Sequence, residues 1–350
     1  MSAANDGSCA ASAWMRRNPS AVPRFAGRSA GVTGPSSATG LPLTVIVIRS
    51  PASARRSTSD TQVGLDRKAP LDRAATILPM IRHVSCHLAF DTLDQAHLAL
   101  QVAVARPPEQ VDERLVVTVD GAPVEAREYP EPHGGRVHVV DVPAGSVVVD
   151  YTATVDDAGD PAGGPVETVG EAERLLYLRP SRYAESDRLV GFATGEFQQI
   201  PHGPELLAAV SSWVGMRLAY VSGSSEPTDG ATETLLAGEG VCRDYAHLVV
   251  ALLRALEVPA RLAAVYAPGL DPMDFHAVAE AYVDDAWHVV DATLLAPRAS
   301  LVRITTGRDA ADTAFLSSYG GDIDLQAVDV TAYVDGDLPA DDITRLARLA

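Results

Sequence analysis

One helix pattern that leads directly into a hairpin pattern constrains the fold of this 350-residue chain more than any other feature. Between Cys242 and Leu256 the apolar residues recur at helical spacing, and Pro259 lies just beyond the end of the pattern. Three strand-like runs follow, at Ala260–Ala267, His276–Val283 and Ala286–Thr293. A helix that feeds antiparallel strands predicts an α+β fold.

The region from Met80 to about Asp157 has a different pattern. Short runs rich in Val and Thr alternate there with turn residues such as Asp120-Gly121. In Ala96–Ala105 and Ser146–Val155 apolar and polar residues alternate, which is typical of antiparallel strands with one buried face. The sequence therefore predicts a small all-β, sandwich-like domain before the α+β core.

Composition changes along the chain and predicts five segments. They are a disordered basic extension at 1–79, the β-rich domain at 80–157, a Gly- and Pro-rich linker at 158–170, the α+β core at 171–320 and a C-terminal tail at 321–350. The abrupt change at Met80 suggests the hypothesis that the natural protein begins there. An intact-mass measurement that finds residues 1–79 on the native protein would refute it.

Charge and cysteine content limit the partners and the compartment. The net charge is -18, with 10 basic and 4 acidic residues in 1–79 but 18 basic and 42 acidic residues in 80–350. The second part therefore carries about -24, which repels phosphate backbones and anionic lipids and argues against nucleic-acid or membrane partners. Three cysteines without paired spacing favour a reducing, cytoplasmic setting. The sequence leaves the oligomeric state open.

Cys242 stands at the predicted start of the helix, just after the turn residues Gly238-Glu239-Gly240. The first turn of a helix has unpaired backbone N–H groups and the positive end of the helix dipole, and both stabilise a thiolate. A thiolate is the reactive form of cysteine, so this position suits a nucleophile. Taken alone, however, a single cysteine is more often a small buried apolar residue.

The hairpin supplies two partners for this thiol. A two-residue turn at Asp284-Asp285 places His276 and Asp291 on one face as diagonal neighbours, about 7–8 Å apart at the backbone. A carboxylate fixes the tautomer of an imidazole and leaves its other nitrogen free to take a thiol proton. The pattern therefore predicts a triad of Cys242 as nucleophile, His276 as base and Asp291 as the orienting residue.

Two other histidines are rivals for the base. His247 lies five residues after Cys242, about 140° away around the helix, which favours a structural or exposed position. His288 alternates away from Asp291 and should point to the other face of the hairpin. Because these residues have no close-spaced ligand motif, we predict neither a metal nor a cofactor.

Three blocks, in order, resemble the core of the transglutaminase-like superfamily. They are Gly240-Val241-Cys242-Arg243-Asp244-Tyr245-Ala246-His247, Asp274-Phe275-His276-Ala277 and Trp287-His288-Val289-Val290-Asp291-Ala292-Thr293. The flanking stretches 177–183 and 304–312 resemble the bacterial branch, in which a β-rich region precedes a papain-like core. The resemblance covers about Ile81 to Gly320 and implies that Cys242, His276 and Asp291 are the catalytic residues. Ala277-Val278 and His288 depart from the family pattern, which bears on the shape of the substrate.

The predicted chemistry is attack of Cys242 on an amide or peptide carbonyl, formation of a thioester and its release by water or an amine. Hydrolysis of a protein or peptide is favoured over cross-linking. Two alternatives stay open: an inert scaffold or protein-binding module, and a β-rich domain that recruits a partner for the core to trim. The backbone N–H of Cys242 is a candidate oxyanion donor, and a second donor is not identified by the sequence.

Overall fold

The computed structural model describes residues 43–45, 80–106, 110–157 and 169–349. The predicted extension, apart from one short strand, and most of the predicted linker lie outside the described residues. None of the helices in the described part of the chain combines the length and the apolar character needed to span a bilayer.

The strands are β1 (Leu43–Val45), β2 (Met80–Thr92), β3 (Ala96–Leu100), β4 (Gln110–Val119), β5 (Ala122–Val124), β6 (Arg127–Pro130), β7 (Arg136–Val142), β8 (Gly145–Asp157), β9 (Ala219–Tyr220), β10 (Glu239–Gly240), β11 (Ala260–Tyr266), β12 (Phe275–Val283), β13 (Ala286–Val290), β14 (Val302–Gly307), β15 (Leu316–Tyr319) and β16 (Ile323–Val334). The helices are α1 (Glu171–Leu176), α2 (Ser186–Phe197), α3 (Pro204–Arg217), α4 (Ala231–Ala237) and α5 (Cys242–Ala255), with 3-10 turns at Pro132–Gly134 and Arg298–Ser300.

Two five-stranded antiparallel sheets form the β-rich part of the molecule. Their strand orders are β1-β15-β3-β7-β6 and β16-β2-β8-β4-β5. Alternate residues of β2 are buried, as the period-two pattern predicts, and the inward residues of both sheets share one apolar core. Leu88, Leu98 and Val149 are examples of fully buried residues from the two sheets. The predicted β-rich region before an α+β core is confirmed.

The C-terminal residues correct the predicted tail at 321–350. Strand β16 pairs with β2 along most of its length, and β15 pairs with β3, so the chain returns from the core and completes the sandwich. Beyond β16 the chain is also anchored, since the Val289 N–H donates to the Ala347 carbonyl at 2.8 Å. The alternating pattern of β16 is visible in the sequence. The pattern does not identify the partner strand, which is β2, the first long strand of the β-rich domain.

The α+β core has a four-stranded antiparallel sheet in the order β13-β12-β11-β14. Strands β12 and β13 meet at a two-residue turn whose residues, Asp284 and Asp285, both have positive φ (48° and 60°). This turn pairs Val283 with Ala286, as predicted. The register of the hairpin is therefore set by a local signal.

Helix α5 is the buried centre of this half of the molecule. All of its residues from Cys242 to Ala255 are buried, and its apolar side chains share one core with α2, α3 and strands β11 to β13. A helix buried on every side is held by packing rather than by intrinsic propensity. The helical spacing after Cys242 predicted this helix.

A buried ion cluster lies on β12, four residues after His276. The Glu280 carboxylate accepts hydrogen bonds from Arg261 and Arg303, both at 2.8 Å, and Arg261 also lies over the ring of Trp287. Because a buried carboxylate is costly unless it is fully paired, this cluster ties β12 to its neighbour β11 and also to β14, which lies on the other side of β11.

Candidate active site

The start of helix α5 positions the Cys242 thiol. Val241 is the extended residue before the helix, and Cys242 is the first helical residue, as predicted. The Asp244 carboxylate accepts the Val241 N–H at 2.8 Å, which satisfies one of the free donors at the helix start. A Cβ on Gly240 would lie 2.7 Å from the Asp244 Cβ, so this capping contact requires glycine. The Gly-x-Cys-x-Asp spacing thus has a packing reason.

A loop is held against the same helix start by Arg243. This buried side chain donates to the Asp244 carboxylate at 3.0 Å, to the Ser225 hydroxyl and to the Glu226 carbonyl at 2.8 Å. Ser225 in turn donates to Asp244 at 2.9 Å. The charge of Arg243 is therefore balanced within the cluster, and the loop is fixed next to Cys242.

His276 and Asp291 form the contact that the hairpin pattern predicts. His276 Nε2 lies 2.9 Å from Asp291 Oδ2, and both residues are buried, with exposed fractions of 1% and 2%. The other carboxylate oxygen, Oδ1, accepts from the Thr293 N–H at 2.8 Å and from the Thr293 hydroxyl at 2.7 Å. The carboxylate is thus held on both sides and fixes the orientation of the ring.

Helix α3 supports Asp291 from behind. The Ser211 hydroxyl donates to the Asp291 carbonyl at 3.2 Å. A Cβ on Gly215 would lie 2.7 Å from the Ala292 carbonyl oxygen, so the helix and this segment approach as closely as they do only because residue 215 is glycine. These supports were not anticipated, because nothing local in the sequence marks a contact between α3 and the end of β13.

The electrostatics of the pair favour a charged imidazole. Burial lowers the pKa of His276, but the Asp291 carboxylate and the Cys242 thiol outweigh it and raise that pKa to about 10. Burial raises the pKa of Asp291, while His276 and Thr293 outweigh it and hold that pKa below its usual value. A protonated ring beside a carboxylate is the form that can donate a proton to a leaving amine.

Cys242 is the second partner of the imidazole. It packs in one cluster with Ala277, the residue that follows His276, and its thiol contributes to the raised pKa of His276. Among the described residues, His276 Nδ1 nevertheless has no hydrogen bond of ordinary geometry. Such contacts are often loose in a free active site and tighten when the substrate binds. The structure thus brings all three predicted residues together.

The two rival histidines have other surroundings. His247 is fully buried, its Nε2 accepts the Ala310 N–H at 3.1 Å, and its ring stacks on Tyr183. Burial and the nearby Arg243 and Arg254 hold the pKa of His247 well below its usual value, so it is a neutral, structural residue. His288 lies opposite Ala281 on the hairpin, and burial lowers its pKa.

No group of three or more His, Cys, Asp or Glu side chains in the described ranges is placed to hold a metal ion. The two cysteines in these ranges, Cys86 and Cys242, are both free thiols. Burial raises the pKa of Cys86 to about 12, so this second thiol is an internal standard for an unreactive cysteine.

Part of the core matches the model of a known protein family. The model of the transglutaminase-like superfamily matches residues 194–292, which include all three residues of the triad. A crystal structure of a candidate cysteine protease from Cytophaga hutchinsonii is similar to 75% of this chain and 94% of its own, with 32% identity and a TM-score of 0.67.

Two curated relatives are uncharacterized mycobacterial proteins. One from Mycobacterium tuberculosis is 31% identical over 158 residues, which are 40% of this chain and 49% of that protein. One from Mycobacterium leprae is 27% identical over 180 residues, which are 49% of this chain and 61% of that protein. The chain therefore matches about half the length of the first of these relatives.

The similarity to the Cytophaga hutchinsonii structure extends over both the sandwich and the core, since it includes three quarters of this chain. The family model and this neighbour together support a general cysteine-hydrolase or transglutaminase-like type of activity. On the combined strength of the matched domain and this relative, the chain belongs to the transglutaminase-like superfamily.

Proposed function

We propose that this protein is a cysteine peptidase or amidase that acts through a thioester on Cys242. The observation that carries the proposal is the buried pair of His276 and Asp291, 2.9 Å apart, beside a thiol at the first residue of a helix. This arrangement supplies a nucleophile, a proton donor and an orienting carboxylate within one site.

The first half of the reaction forms the thioester. The Cys242 sulfur attacks the carbonyl carbon, and the charge that develops on oxygen is stabilised at the helix start, where the Cys242 N–H is a candidate donor. The carbon–nitrogen bond then breaks as His276 gives its proton to the leaving amine. Asp291 holds the ring in position throughout.

The second half releases the acyl group. Water attacks the thioester carbon while His276, now neutral, takes one of its protons. The carbon–sulfur bond breaks, and the acid leaves together with the regenerated thiolate and imidazolium. If an amine replaced water in this step, the same groups would catalyse transfer, so the two outcomes differ only in the second nucleophile.

We propose hydrolysis as the main outcome and a protein or peptide as the substrate. The acidic composition of residues 80–350 supports neutral or cationic substrates and argues against nucleic acid and membrane surfaces as partners. The free thiols of Cys86 and Cys242 are compatible with the proposed reducing, cytoplasmic compartment. Cell fractionation would test the compartment directly.

The test is a quenched-fluorescence peptide library assayed with and without a fluorescent primary amine. Wild type is compared with Cys242→Ala and with Cys86→Ala, which removes the other described thiol as a matched control. We expect cleavage by wild type and Cys86→Ala, none by Cys242→Ala, and little incorporation of the amine.

Other outcomes would decide against the proposal. Incorporation of the amine in excess of cleavage would identify a transferase. If neither cleavage nor incorporation occurred, and Cys242 reacted with iodoacetamide no faster than Cys86 at neutral pH, the protein would be an inert scaffold of this fold.

A further inference from the structure

The candidate triad is closed to solvent. The exposed fractions of Cys242, His276 and Asp291 are 1%, 1% and 2%. A carbonyl carbon that the thiol attacks must come within about 3–3.5 Å of the sulfur. A substrate therefore reaches the nucleophile only after a segment that covers it has moved.

Three segments lie next to the cluster of Cys242, and two of them are fixed. The cluster includes Ala310, and two tyrosines, Tyr183 and Tyr220, pack against it. The Ala310 N–H donates to His247, and the Tyr183 ring stacks on the same histidine with ring centroids 5.2 Å apart. Since His247 is fully buried, moving either of these segments would uncover a buried polar group.

The third segment is the loop between strand β9 and helix α4, residues 222–229. The Val221 N–H donates to the Gly240 carbonyl at 3.1 Å and fixes the first end, and helix α4 begins at Ala231 and fixes the second end. Between these ends the only apolar side chain is that of Pro227, and no residue of 222–229 is buried. A segment with so few buried contacts opens at a low cost in free energy.

The middle of this loop is held by polar contacts to the start of helix α5. Arg243 donates to the Ser225 hydroxyl and to the Glu226 carbonyl, and the Ser225 hydroxyl donates to the Asp244 carboxylate at 2.9 Å. Arg243 and Asp244 directly follow the nucleophile in the chain. When the loop moves away, Arg243 keeps its contact with Asp244 at 3.0 Å, so its charge stays balanced. The contacts of Ser225 and Glu226 therefore form a latch that can be released.

Within the described ranges, one other hydrogen bond joins residues 222–229 to the rest of the chain. It runs from Arg182 to the Thr228 carbonyl and is longer, at 3.3 Å. The neighbouring Ser224 hydroxyl donates to the Val221 carbonyl at 2.9 Å, which is a contact within the same turn of the chain. Ser225 is thus the side chain that ties the loop to the helix, and Ser224 is a matched control for it.

We infer that residues 222–229 form a lid beside Cys242, which Arg243 and Ser225 latch and which opens to admit the substrate. The inference rests on the proposed function only in that a substrate has to reach the thiol. Because the closed form does not admit substrate, the apparent affinity is reduced by the fraction of molecules in which the lid is open. Ser225 and Arg243 act here as positioning residues.

The first arm of the test measures access to the thiol without turnover. The rate at which iodoacetamide alkylates Cys242 is followed by peptide mapping in wild type, Ser225→Ala, Ser224→Ala and Ser225→Thr. Ser225→Ala removes two hydrogen bonds to charged groups and should raise the rate by about tenfold or more. Ser224→Ala, and Ser225→Thr, which keeps the hydroxyl, should react as wild type does. Cys86, buried in the sandwich, should stay slow in every variant, which separates opening of the lid from unfolding.

The pH dependence of alkylation separates access from reactivity. An opened lid raises the rate by the same factor at every pH. A change in the pKa of the thiol, caused by loosening Asp244 at the helix start, would instead shift the midpoint of the profile. We expect the first result for Ser225→Ala.

The second arm measures turnover of a peptide that wild type cleaves. In Ser225→Ala the KM should fall by about fivefold or more, because a larger fraction of the protein is open, while kcat changes by less than about twofold. A merely structural role of Ser225 would lower kcat instead.

The two arms separate the lid from the proposed function. Equal alkylation rates in Ser225→Ala and Ser224→Ala, or a rate that rises only through a shifted midpoint, overturn the lid and leave the peptidase in place. Faster alkylation of Cys242 in Ser225→Ala, without cleavage of any peptide by wild type, supports the lid and overturns the peptidase.

Discussion

Replacement of Asp291 by asparagine tests the electrostatic basis of the site. The amide keeps the shape of the side chain and an oxygen that can accept from Thr293, but it removes the negative charge from a buried imidazole. A matched control is Asp150→Asn, because Asp150 lies 2.7 Å from His87 in a pair of the same type at the exposed surface. Only the loss of the buried Asp291 carboxylate should lower the activity.

The magnitude follows from the pKa of His276. A pKa of about 10, compared with the usual 6.5, corresponds to a preference for the protonated ring on the order of 5 kcal/mol. Without the carboxylate, burial dominates and should bring the pKa of His276 in Asp291→Asn below 6.5. The ring would then be neutral at pH 7 and unable to donate to the leaving amine, so kcat/KM should fall by about 10³–10⁴.

The assay is a titration of the His276 ring by NMR between about pH 5 and 11, together with kcat/KM on a cleaved peptide. Because the folded-state pKa is raised, the stabilising effect of the ring is complete below about pH 6.5 and is lost as the pH rises through about 10. The urea midpoint of wild type should therefore decline over this range more steeply than that of Asp291→Asn.

Two results would contradict this reasoning. One is a ring in Asp291→Asn that still titrates near pH 10. The other is an equal loss of activity in Asp150→Asn, since that pair is exposed and should contribute less than about 1 kcal/mol.

Further predictions concern the supports of the site. Gly240→Ala forces a Cβ against Asp244, so it should lower the free energy of unfolding in urea by about 2–4 kcal/mol and slow the alkylation of Cys242. The control Gly195→Ala has open space around it in helix α2 and should be neutral or raise that free energy by up to about 1 kcal/mol. His247→Ala leaves the buried Ala310 N–H without its acceptor and should lower the free energy of unfolding by about 1–3 kcal/mol. The pH profile of kcat should keep its shape; a changed profile would make His247 a second titrating group of the reaction. Removal of residues 321–350 deletes β16 and leaves the edge of β2 unpaired, so the cooperative unfolding transition seen by circular dichroism should disappear. A truncated chain that melts as wild type does would show that the strand is dispensable.

Several features of the fold follow from local signals. The Asp284-Asp285 turn fixes the register of the hairpin, because two residues of positive φ suit the twist of the flanking strands. Likewise the glycine-rich turn before Cys242 and the helical spacing after it mark the start of α5. For these reasons the sequence indicated the contact between His276 and Asp291 and the place of Cys242.

Other features depend on segments that are far apart in the chain. The period-two pattern of β16 gives no partner, and the predicted tail became a sandwich strand only because its edge position beside β2 buries the apolar face. Similarly, Gly215 is an unremarkable helical glycine until the Ala292 carbonyl approaches it.

The amino-acid sequence by itself therefore determined the three residues of the candidate triad and the elements that carry them, since spacing within one helix and one hairpin is a short-range property. The tertiary structure alone decided what surrounds them: the raised pKa of His276, which depends on burial as well as on its partners, and the loop that Arg243 holds beside Cys242. Burial and contacts between distant segments depend on neighbours from the whole chain, and no local pattern encodes them.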